Sequence, residues 1–327
     1  MLFVCKDQDT AVKKEKNRMK LFFVTDVHGS ELCFRKFISA VKIYGVDAAV
    51  LLGDLSGKMV VPIIKREDGK YECKFLGEYF LLENDNKLNE MINRISSIGF
   101  YHYITNMEEY ERISKDKETI NKIFFEEMVK RLKHWMELAD EKLKDVKIPI
   151  FMAPGNDDPF DIDKVINDSK TIVNCDMKKV MIDEYEMITM SYSNPTPWET
   201  PRELPEEELE KKIESLVSQI TDMSRAIFNF HVPPYGSVLD LAPLLDDKMR
   251  QSAGTTVHVG SHAVAKAIEK YQPLLGMHGH IHESRGIQKI GKTFICNPGS
   301  EYGEGILKGI IIDLKGAKIK GYQFTSG

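Results

Sequence analysis

The sequence lacks the features that would place the protein in a membrane or in an oxidising compartment. No apolar run approaches the roughly 18 residues that a membrane-spanning helix needs, and no secretory signal precedes the first apolar segment. The five cysteines are scattered without a Cys-x-x-Cys pair, which is typical of reduced thiols rather than of a disulfide framework. We therefore expect a soluble cytoplasmic protein without a membrane partner.

Basic tracts and repeats are also absent. The 45 Lys and Arg residues are outnumbered by 50 Asp and Glu residues, which gives a formal net charge of −5. Binding of nucleic acid without sequence preference depends on neutralising its phosphates, so nucleic acid is a disfavoured partner. The 327 residues, 42% of them hydrophobic, are enough for a sizeable core in one large or two ordinary domains.

What the sequence does contain is a recurrence: five short apolar runs are each followed by residues that can bind a metal ion. Such runs, closed by Gly, Pro or Asp, indicate buried parallel strands, and open α/β sheets bind ligands at the carboxyl ends of these strands. We therefore expect the five clusters to meet in space. In chain order they are Asp26 with His28, Gly53-Asp54, Gly155-Asn156-Asp157, His231, and His280 with His282.

The donor set predicts two metal ions, because seven donors exceed what one ion requires. Imidazole with carboxylate suits Mn, Fe or Zn, whereas Mg and Ca sites are richer in oxygen and structural zinc favours Cys. Asp54 is the natural bridge, since a carboxylate has two oxygens. Two ions about 3.5–4 Å apart can clamp phosphoryl oxygens and acidify a water between them. The predicted metal ligands are Asp26, His28, Asp54, Asn156, His231, His280 and His282.

In this order, Asp-x-His, Gly-Asp, Gly-Asn-x, His and Gly-His-x-His resemble the motifs of the calcineurin-like metallophosphoesterases. The resemblance covers the chain from about residue 20 to the end, apart from an insertion. It implies an α/β sandwich of two facing mixed β-sheets flanked by helices. It also implies a distribution of ligands, in which one ion binds Asp26, His28, Asp54 and His282 and the other binds Asp54, Asn156, His231 and His280.

The third motif departs from this family at its last residue. Where the family usually has Gly-Asn-His, this chain has Gly155-Asn156-Asp157. The family's histidine is thought to stabilise charge on the phosphoryl group or to protonate the leaving oxygen. An aspartate beside two divalent cations should remain ionised and repel a phosphate.

Three alternative roles for the Asp157 side chain stay open. The first is a cap on the segment 158–160, and the second is to accept a hydrogen bond from a ligand histidine. The third is direct action on the substrate as a catalytic residue. If the histidine is missing, His258 is the first candidate for a substitute catalytic residue and His278 is the second. For both, an ordinary loop or core position is the alternative.

A stiff loop over residues 191–203, with three prolines, is a candidate for substrate binding. Its Trp198 and Arg202 are the predicted substrate-binding residues, together with Asn156, because an Arg guanidinium matches the oxygens of a phosphate. The alternative is that the loop is structural and pins the helix that begins near residue 205.

The domain organisation follows from spacing. About a hundred residues separate Asp54 from Gly155, far more than a strand-helix crossover needs, so we predict one domain over 20–327 with a mainly helical insertion at about 58–146. Asp68-Gly69 between apolar runs indicates a β-hairpin, and apolar series at helical spacing over 88–98 and 120–143 indicate a helical hairpin. The insertion would cap the metal face, extend the core or form a homo-oligomer interface. Residues 1–19 are predicted to be a disordered extension or an artefact of start-site choice.

The sequence therefore favours a dimetal phosphoester hydrolase. Its substrate would be a small or nucleotide-type phosphoester, with a phosphodiester preferred, attacked by metal-bound hydroxide. The alternative is a metal-binding scaffold or sensor with little turnover, because Asp157 stands where the family has histidine.

Overall fold

The computed structural model describes residues 18–246 and 251–327. These residues contain eighteen strands and seven α-helices. The strands are β1 (Met19–Thr25), β2 (Ala48–Leu52), β3 (Val60–Lys65), β4 (Tyr71–Phe75), β5 (Glu78–Leu82), β6 (Tyr101–Asn106), β7 (Ile150–Ala153), β8 (Ile172–Asn174), β9 (Lys179–Ile182), β10 (Tyr185–Met190), β11 (Ala226–Phe230), β12 (Leu241–Leu245), β13 (Gln251–His258), β14 (Leu275–Met277), β15 (Gly286–Ile290), β16 (Thr293–Asn297), β17 (Lys308–Lys315) and β18 (Lys318–Ser326). The helices are α1 (Glu31–Ile43), α2 (Asp85–Ser97), α3 (Met107–Ile113), α4 (Lys117–Lys142), α5 (Ile162–Asn167), α6 (Glu206–Val217) and α7 (His262–Tyr271). Most of the predicted N-terminal extension, residues 1–17, lies outside the described residues, and β1 begins within the predicted range, at Met19.

Two mixed sheets of six strands face each other. The first has the order β18-β17-β1-β2-β7-β8. In it β1, β2, β7 and β8 are parallel to one another, and β17 pairs antiparallel with both β1 and β18. The second has the order β15-β16-β14-β11-β10-β9, in which the four central strands are parallel and each edge strand is antiparallel. The predicted sandwich of two facing mixed sheets is confirmed.

Alternation along β1 explains the layers. Leu21 and Phe23 join the apolar cluster between the sheets, which Ile227 completes from the second sheet. Phe22 and Val24 join the cluster that α1 and α4 cover on the outer side. Because successive side chains of a strand point to opposite faces, one strand contributes to both cores. A third cluster lies on the outer face of the second sheet, under α6 and α7.

The insertion builds a small sheet of its own. Its strand order is β5-β4-β3-β6, with the predicted Asp68-Gly69 hairpin between β3 and β4. β5 and β6 extend this sheet beyond the two strands that the sequence pattern indicated, because neither carries a turn signal as clear as Asp-Gly. Helix α2 packs on the sheet and buries Leu88, Met91 and Ile95 there.

The long helix α4 extends the main core. Its Trp135 is fully buried and stacks on Phe34 of α1, with ring centroids 4.4 Å apart. The Trp135 Nε1 donates a hydrogen bond of 2.7 Å to Oε2 of Glu31. Of the three roles predicted for the insertion, α4 therefore has the second, extension of the core. Neither α4 nor any other helix of the described chain is long and apolar enough to cross a membrane.

Candidate metal centre

The seven predicted ligands meet where the two sheets present the carboxyl ends of their parallel strands. Asp26 and His28 follow β1, Asp54 follows β2 and Asn156 follows β7, while His231 follows β11 and His280 and His282 follow β14. Nε2 of His28 lies 2.9 Å from Nε2 of His282 across the sandwich. Nε2 of His231 lies 2.9 Å from Oδ1 of Asn156. His28 and His282, which are 254 positions apart in sequence, thus share one buried site.

The ligand atoms form two groups that share Asp54. One group contains Asp26, His28, Asp54 and His282, and the other contains Asp54, His231 and His280, with the atoms of each group within 4.8 Å of one another. Oδ2 of Asp54 lies 3.6 Å from Nε2 of His28, whereas Oδ1 lies 3.4 Å from Nε2 of His231. Each oxygen of this carboxylate therefore faces a different group. This is the distribution that the motif resemblance implied, with Asn156 joining the second group through His231.

The electrostatics of the site fit positively charged ions. Oδ1 of Asp26 is buried and has no hydrogen-bond partner among the described residues. Burial alone would raise the pKa of Asp26, but the neighbouring His282 and His231 lower it to about 2. Burial, together with the nearby His231, lowers the pKa of His280 to about 4. The ionised carboxylate of Asp26 and the unprotonated imidazole of His280 therefore lie in one buried site, and donors of these two kinds suit divalent ions of the Mn, Fe or Zn type.

The backbone at the site is held in conformations that side chains seldom adopt. Four ligands have positive φ: Asp26 at 54°, His28 at 40°, Asp54 at 35° and His280 at 67°. Such conformations cost free energy and persist only where the surroundings fix them. Oδ2 of Asp26 accepts hydrogen bonds from the Thr25 hydroxyl at 2.7 Å and from the His280 amide at 3.0 Å. The strain is thus compensated by contacts that also orient the ligands.

Two glycines of the motifs are required by close approach. A Cβ on Gly53 would lie 2.1 Å from Nδ1 of His231, and one on Gly155 would lie 2.2 Å from Oδ1 of Asp54. Both distances are far below van der Waals contact. Gly53 and Gly155 are therefore required at these positions because predicted ligands pack directly against their backbone.

Within the described residues, the Asp157 side chain neither caps the segment 158–160 nor accepts a hydrogen bond from a ligand histidine, which were the first two of its three predicted roles. Its backbone N–H donates a hydrogen bond of 3.1 Å to Oδ1 of Asp54, and its carboxylate forms an ion pair with Nζ of Lys58. The neighbouring Asp158 turns inward instead, and its buried carboxylate accepts hydrogen bonds from the amides of Leu55, Ser56 and Gly155. Asp157 was predicted as the cap because it precedes the Asp-Pro turn, but the side chain one residue later points into the protein.

Arg202 is a structural residue, and its prediction as a phosphate ligand is wrong. The side chain is 1% exposed, and its guanidinium donates to Asp163 at 2.6 Å, to Asp176 at 3.0 Å and to the Asp158 carbonyl at 2.8 Å. A buried guanidinium is stable only when its N–H groups are paired in this way. The contacts of Arg202 therefore favour the alternative prediction for the loop 191–203, a structural role.

The same loop still touches the site through Asn156. The Asn156 side-chain amide donates a hydrogen bond of 2.8 Å to the Thr200 hydroxyl, and the Asn156 carbonyl accepts one of 3.0 Å from the Arg202 amide. Both contacts orient Asn156 so that Oδ1 faces His231. Trp198 is 64% exposed at the outer end of the loop, and its role in substrate binding stays a prediction.

Neither histidine proposed as a substitute lies among the ligands. Nδ1 of His258 pairs with Oδ1 of Asp240 at 2.7 Å, at the base of the β12–β13 hairpin. None of the hydrogen bonds or ring contacts in the described part of the chain joins His258 to a predicted ligand, so its catalytic assignment is not supported. His278 is fully buried and its Nδ1 bonds with the Phe230 carbonyl at 2.9 Å. It is the core residue that was its alternative.

Comparisons with known proteins agree with this architecture. The protein TT1561 of Thermus thermophilus aligns over 94% of this chain and 98% of its own, with a TM-score of 0.51 and 15% identity. A further crystal structure aligns over 95% of this chain and 98% of its own, with a TM-score of 0.56 and 16% identity. The phosphoesterase YfcE from E. coli covers 93% of this chain and 98% of its own at 13% identity, but its TM-score of 0.33 is too low to bear on function. No family model matches the chain.

One relative is similar in sequence. The uncharacterized protein MJ1162 of Methanocaldococcus jannaschii is 33% identical over 162 residues, which are 48% of this chain and 68% of that protein. The chain belongs to the family of MJ1162. The solved structures share its two-sheet fold, and its motifs and paired groups of donors resemble those of the calcineurin-like metallophosphoesterases.

The sequence motifs did not indicate several residues that lie at the predicted site. Lys58 lies four positions after Asp54 and pairs with Asp157, and Asp158 directly follows the third motif. Tyr302 packs against His28, with ring centroids 4.5 Å apart. The proximity of Lys58 and Asp158 to the motifs was a usable signal, whereas nothing in the sequence around Tyr302 distinguished it.

Proposed function

We propose that the protein is a dimetal phosphoester hydrolase. The observation that carries this proposal is the position of Asp54, which directs Oδ2 toward His28 and Oδ1 toward His231. A carboxylate between two groups of imidazole and carboxylate donors suits two divalent ions at bridging distance. When bound, such ions supply positive charge for phosphoryl oxygens and lower the pKa of a water molecule.

The protein's own residues would have three roles around these ions: to hold them, to orient the ligands and to cover one side of the site. Asp26, His28, Asp54 and His282 would hold one ion, and Asp54, Asn156, His231 and His280 the other. Thr25 and Thr200 orient Asp26 and Asn156 through their hydroxyls. Tyr302 covers the ring of His28 and limits access of water from that side.

We propose phosphodiesters with good leaving groups as the preferred substrates. His258 and His278 were the predicted proton donors. In the described part of the chain, neither forms a hydrogen bond with a predicted ligand. A leaving group would then depart as an anion, which only a weakly basic group does readily. A diester also carries less negative charge than a monoester and therefore requires less positive charge beside the ion pair of Asp157 and Lys58, which is neutral overall.

Metal loading with Mn or Zn tests the proposal. We expect about two equivalents of metal, hydrolysis of bis(p-nitrophenyl) phosphate faster than that of p-nitrophenyl phosphate, and loss of both ions in Asp54→Ala. Asp183→Ala is a matched control, because Asp183 shares the left-handed backbone (φ 54°) but lies in the β9–β10 turn. Saturation at one equivalent, or equal metal loss in both variants, would refute the dimetal site.

A metal-binding scaffold with little turnover is the second candidate. The observation in its favour is that the Asp157 carboxylate forms an ion pair with Lys58. Asp157 stands where the calcineurin-like metallophosphoesterases usually have a histidine. Two bound equivalents without hydrolysis of any aryl mono- or diester would decide for the scaffold.

A further inference from the structure

Lys58 and Asp157 form an ion pair between two loops that both carry predicted ligands. Lys58 follows Asp54 on the loop after β2, and Asp157 follows Asn156 on the loop after β7. The Lys58 side chain is 42% exposed and that of Asp157 is 20% exposed. The pair therefore lies at the surface of the site, with the Lys58 side chain more exposed than that of Asp157.

Both loops are fixed at the level of the backbone. The amides of Leu55 and Ser56 donate to the buried carboxylate of Asp158, and the Gly57 amide donates to the Tyr101 hydroxyl at 2.7 Å. A Cβ on Gly57 would lie 2.0 Å from the Gly99 carbonyl oxygen, so the segment packs tightly against the insertion. These contacts fix the backbone that precedes Lys58.

The other side of the pair is tied to the ligands. The Asp157 amide donates to Oδ1 of Asp54, which places the Asp157 backbone one hydrogen bond from the shared carboxylate. The ion pair with Asp157 thus holds the Lys58 ammonium beside the two loops that carry Asp54 and Asn156.

We propose that Lys58 is a substrate-binding residue that contacts a phosphoryl oxygen, and that Asp157 is the positioning residue that holds Lys58 at the site. The inference rests on the proposed function. A lysine ammonium has three N–H donors, so one can stay with Asp157 while the others bind phosphate oxygens. The flexible side chain allows the ammonium to shift toward the substrate without movement of its fixed backbone.

This arrangement resolves the conflict created by Asp157. A lone carboxylate at this position would repel a phosphate, but with Lys58 attached the pair carries no net charge. Lys58 is the more exposed partner of the pair, so its ammonium is available to a phosphate that approaches the site. The pair thus recognises a phosphoryl group by charge and does not need to donate a proton.

The test measures binding of inorganic phosphate to the metal-loaded protein by calorimetry, with metal content and unfolding temperature recorded for each variant. We expect Lys58→Met to keep its metal and weaken phosphate binding roughly 10- to 100-fold, as expected for loss of a charge-assisted hydrogen bond. Lys58→Arg should restore most of the affinity. Lys266→Met is the matched control, since Lys266 also joins two elements through an ion pair, with Glu210 at 2.5 Å.

The role of Asp157 is tested in the same assay. Asp157→Asn should weaken phosphate binding, and the double variant Lys58→Met, Asp157→Asn should bind phosphate no more weakly than Lys58→Met alone, because Asp157 acts through Lys58. Phosphate affinity unchanged in Lys58→Met, or additive losses in the double variant, would overturn the inference. Failure of the proposed function is distinct, because the wild-type protein would then bind fewer than two ions or hydrolyse no ester.

Discussion

The backbone N–H of Asp157 donates a hydrogen bond of 3.1 Å to Oδ1 of Asp54. The third motif therefore contributes to the site through a main-chain N–H that every residue except proline supplies at this position. What distinguishes this chain is only the side chain of Asp157, which turns to Lys58. Backbone geometry and side-chain chemistry can be separated at this residue by mutation.

Replacing Asp157 by His should leave folding and metal content unchanged and add a proton donor. Rates for aryl phosphodiesters should then fall less steeply as the pKa of the leaving group rises, because a donated proton matters most for basic leaving groups. The slope of log kcat/KM against leaving-group pKa measures this. Asp157→Asn is the control, since it removes the charge without adding an imidazole, and its slope should stay steep. Equal slopes in the two variants would contradict the prediction.

Replacing Gly155 by Ala should release metal from a folded protein. The added methyl would lie 2.2 Å from Oδ1 of Asp54 and 2.8 Å from Nε2 of His231, so both ligands must move. Metal content by mass spectrometry should fall well below that of the wild type. Gly321→Ala is the control, because a Cβ there meets nothing within 4 Å and φ is not positive. Full metal content in Gly155→Ala would show that the site tolerates this shift.

Replacing Arg202 by Met should destabilise the protein and spare its chemistry. The change leaves the buried carboxylate of Asp176 without its partner, and breaking a buried ion pair costs about 3–5 kcal/mol. Denaturant unfolding should show this loss, while kcat/KM per folded molecule stays near the wild-type value. Arg225→Met is the control, because its ion pairs are about 40% exposed and should contribute less than about 1 kcal/mol. A large loss of kcat/KM at wild-type stability would return Arg202 to the substrate site.

The parts of the site that the sequence predicted are those fixed by strand ends. Asp26, Asp54 and His231 each follow an apolar run; parallel pairing of β1 with β2 brings Asp26 beside Asp54, and packing of the second sheet on the first brings His231 to them. Sequence order alone did not show where side chains beyond the strands point. Whether Asp157 or Asp158 turns inward depends on the conformation of a single turn, and the charge of Arg202 is satisfied by partners 26 and 39 positions away. Such contacts are set by tertiary packing.

The insertion shows the same limit. The helical spacing over 120–143 located α4 to within a few residues. The position of β6 beside β3 was not predictable, because parallel pairing of Val60 with Tyr101 joins segments that share no local signal. That pairing places the Tyr101 hydroxyl against the loop that carries Lys58.

Metal binding should release protons and weaken as pH falls. The pKa values of His231 and His282 are raised in the metal-free protein: burial opposes protonation, but the carboxylates of Asp54 and Asp26 outweigh it. A raised pKa means that these imidazoles retain protons to a higher pH than free histidine, and a metal ion must displace them. Titration calorimetry in buffers of different ionisation enthalpy should show proton release that increases from pH 8 to pH 6. Binding without proton release over this range would contradict the prediction.

Replacing Tyr101 by Phe tests whether the insertion supports the site. The Tyr101 ring stays buried, but the Gly57 amide loses the hydroxyl that accepts its hydrogen bond at 2.7 Å. A buried N–H without a partner costs about 1–3 kcal/mol, and the cost should appear locally, as faster hydrogen exchange in the segment 55–58. Because Lys58 depends on this backbone, phosphate affinity should fall while metal content stays constant, since the ligands themselves are held by other contacts. Tyr79→Phe is the control, as the Tyr79 side chain is 64% exposed and its hydroxyl pairs with Glu72 within the insertion. If exchange in 55–58 and phosphate affinity are the same in both variants, the insertion does not support the site through Tyr101.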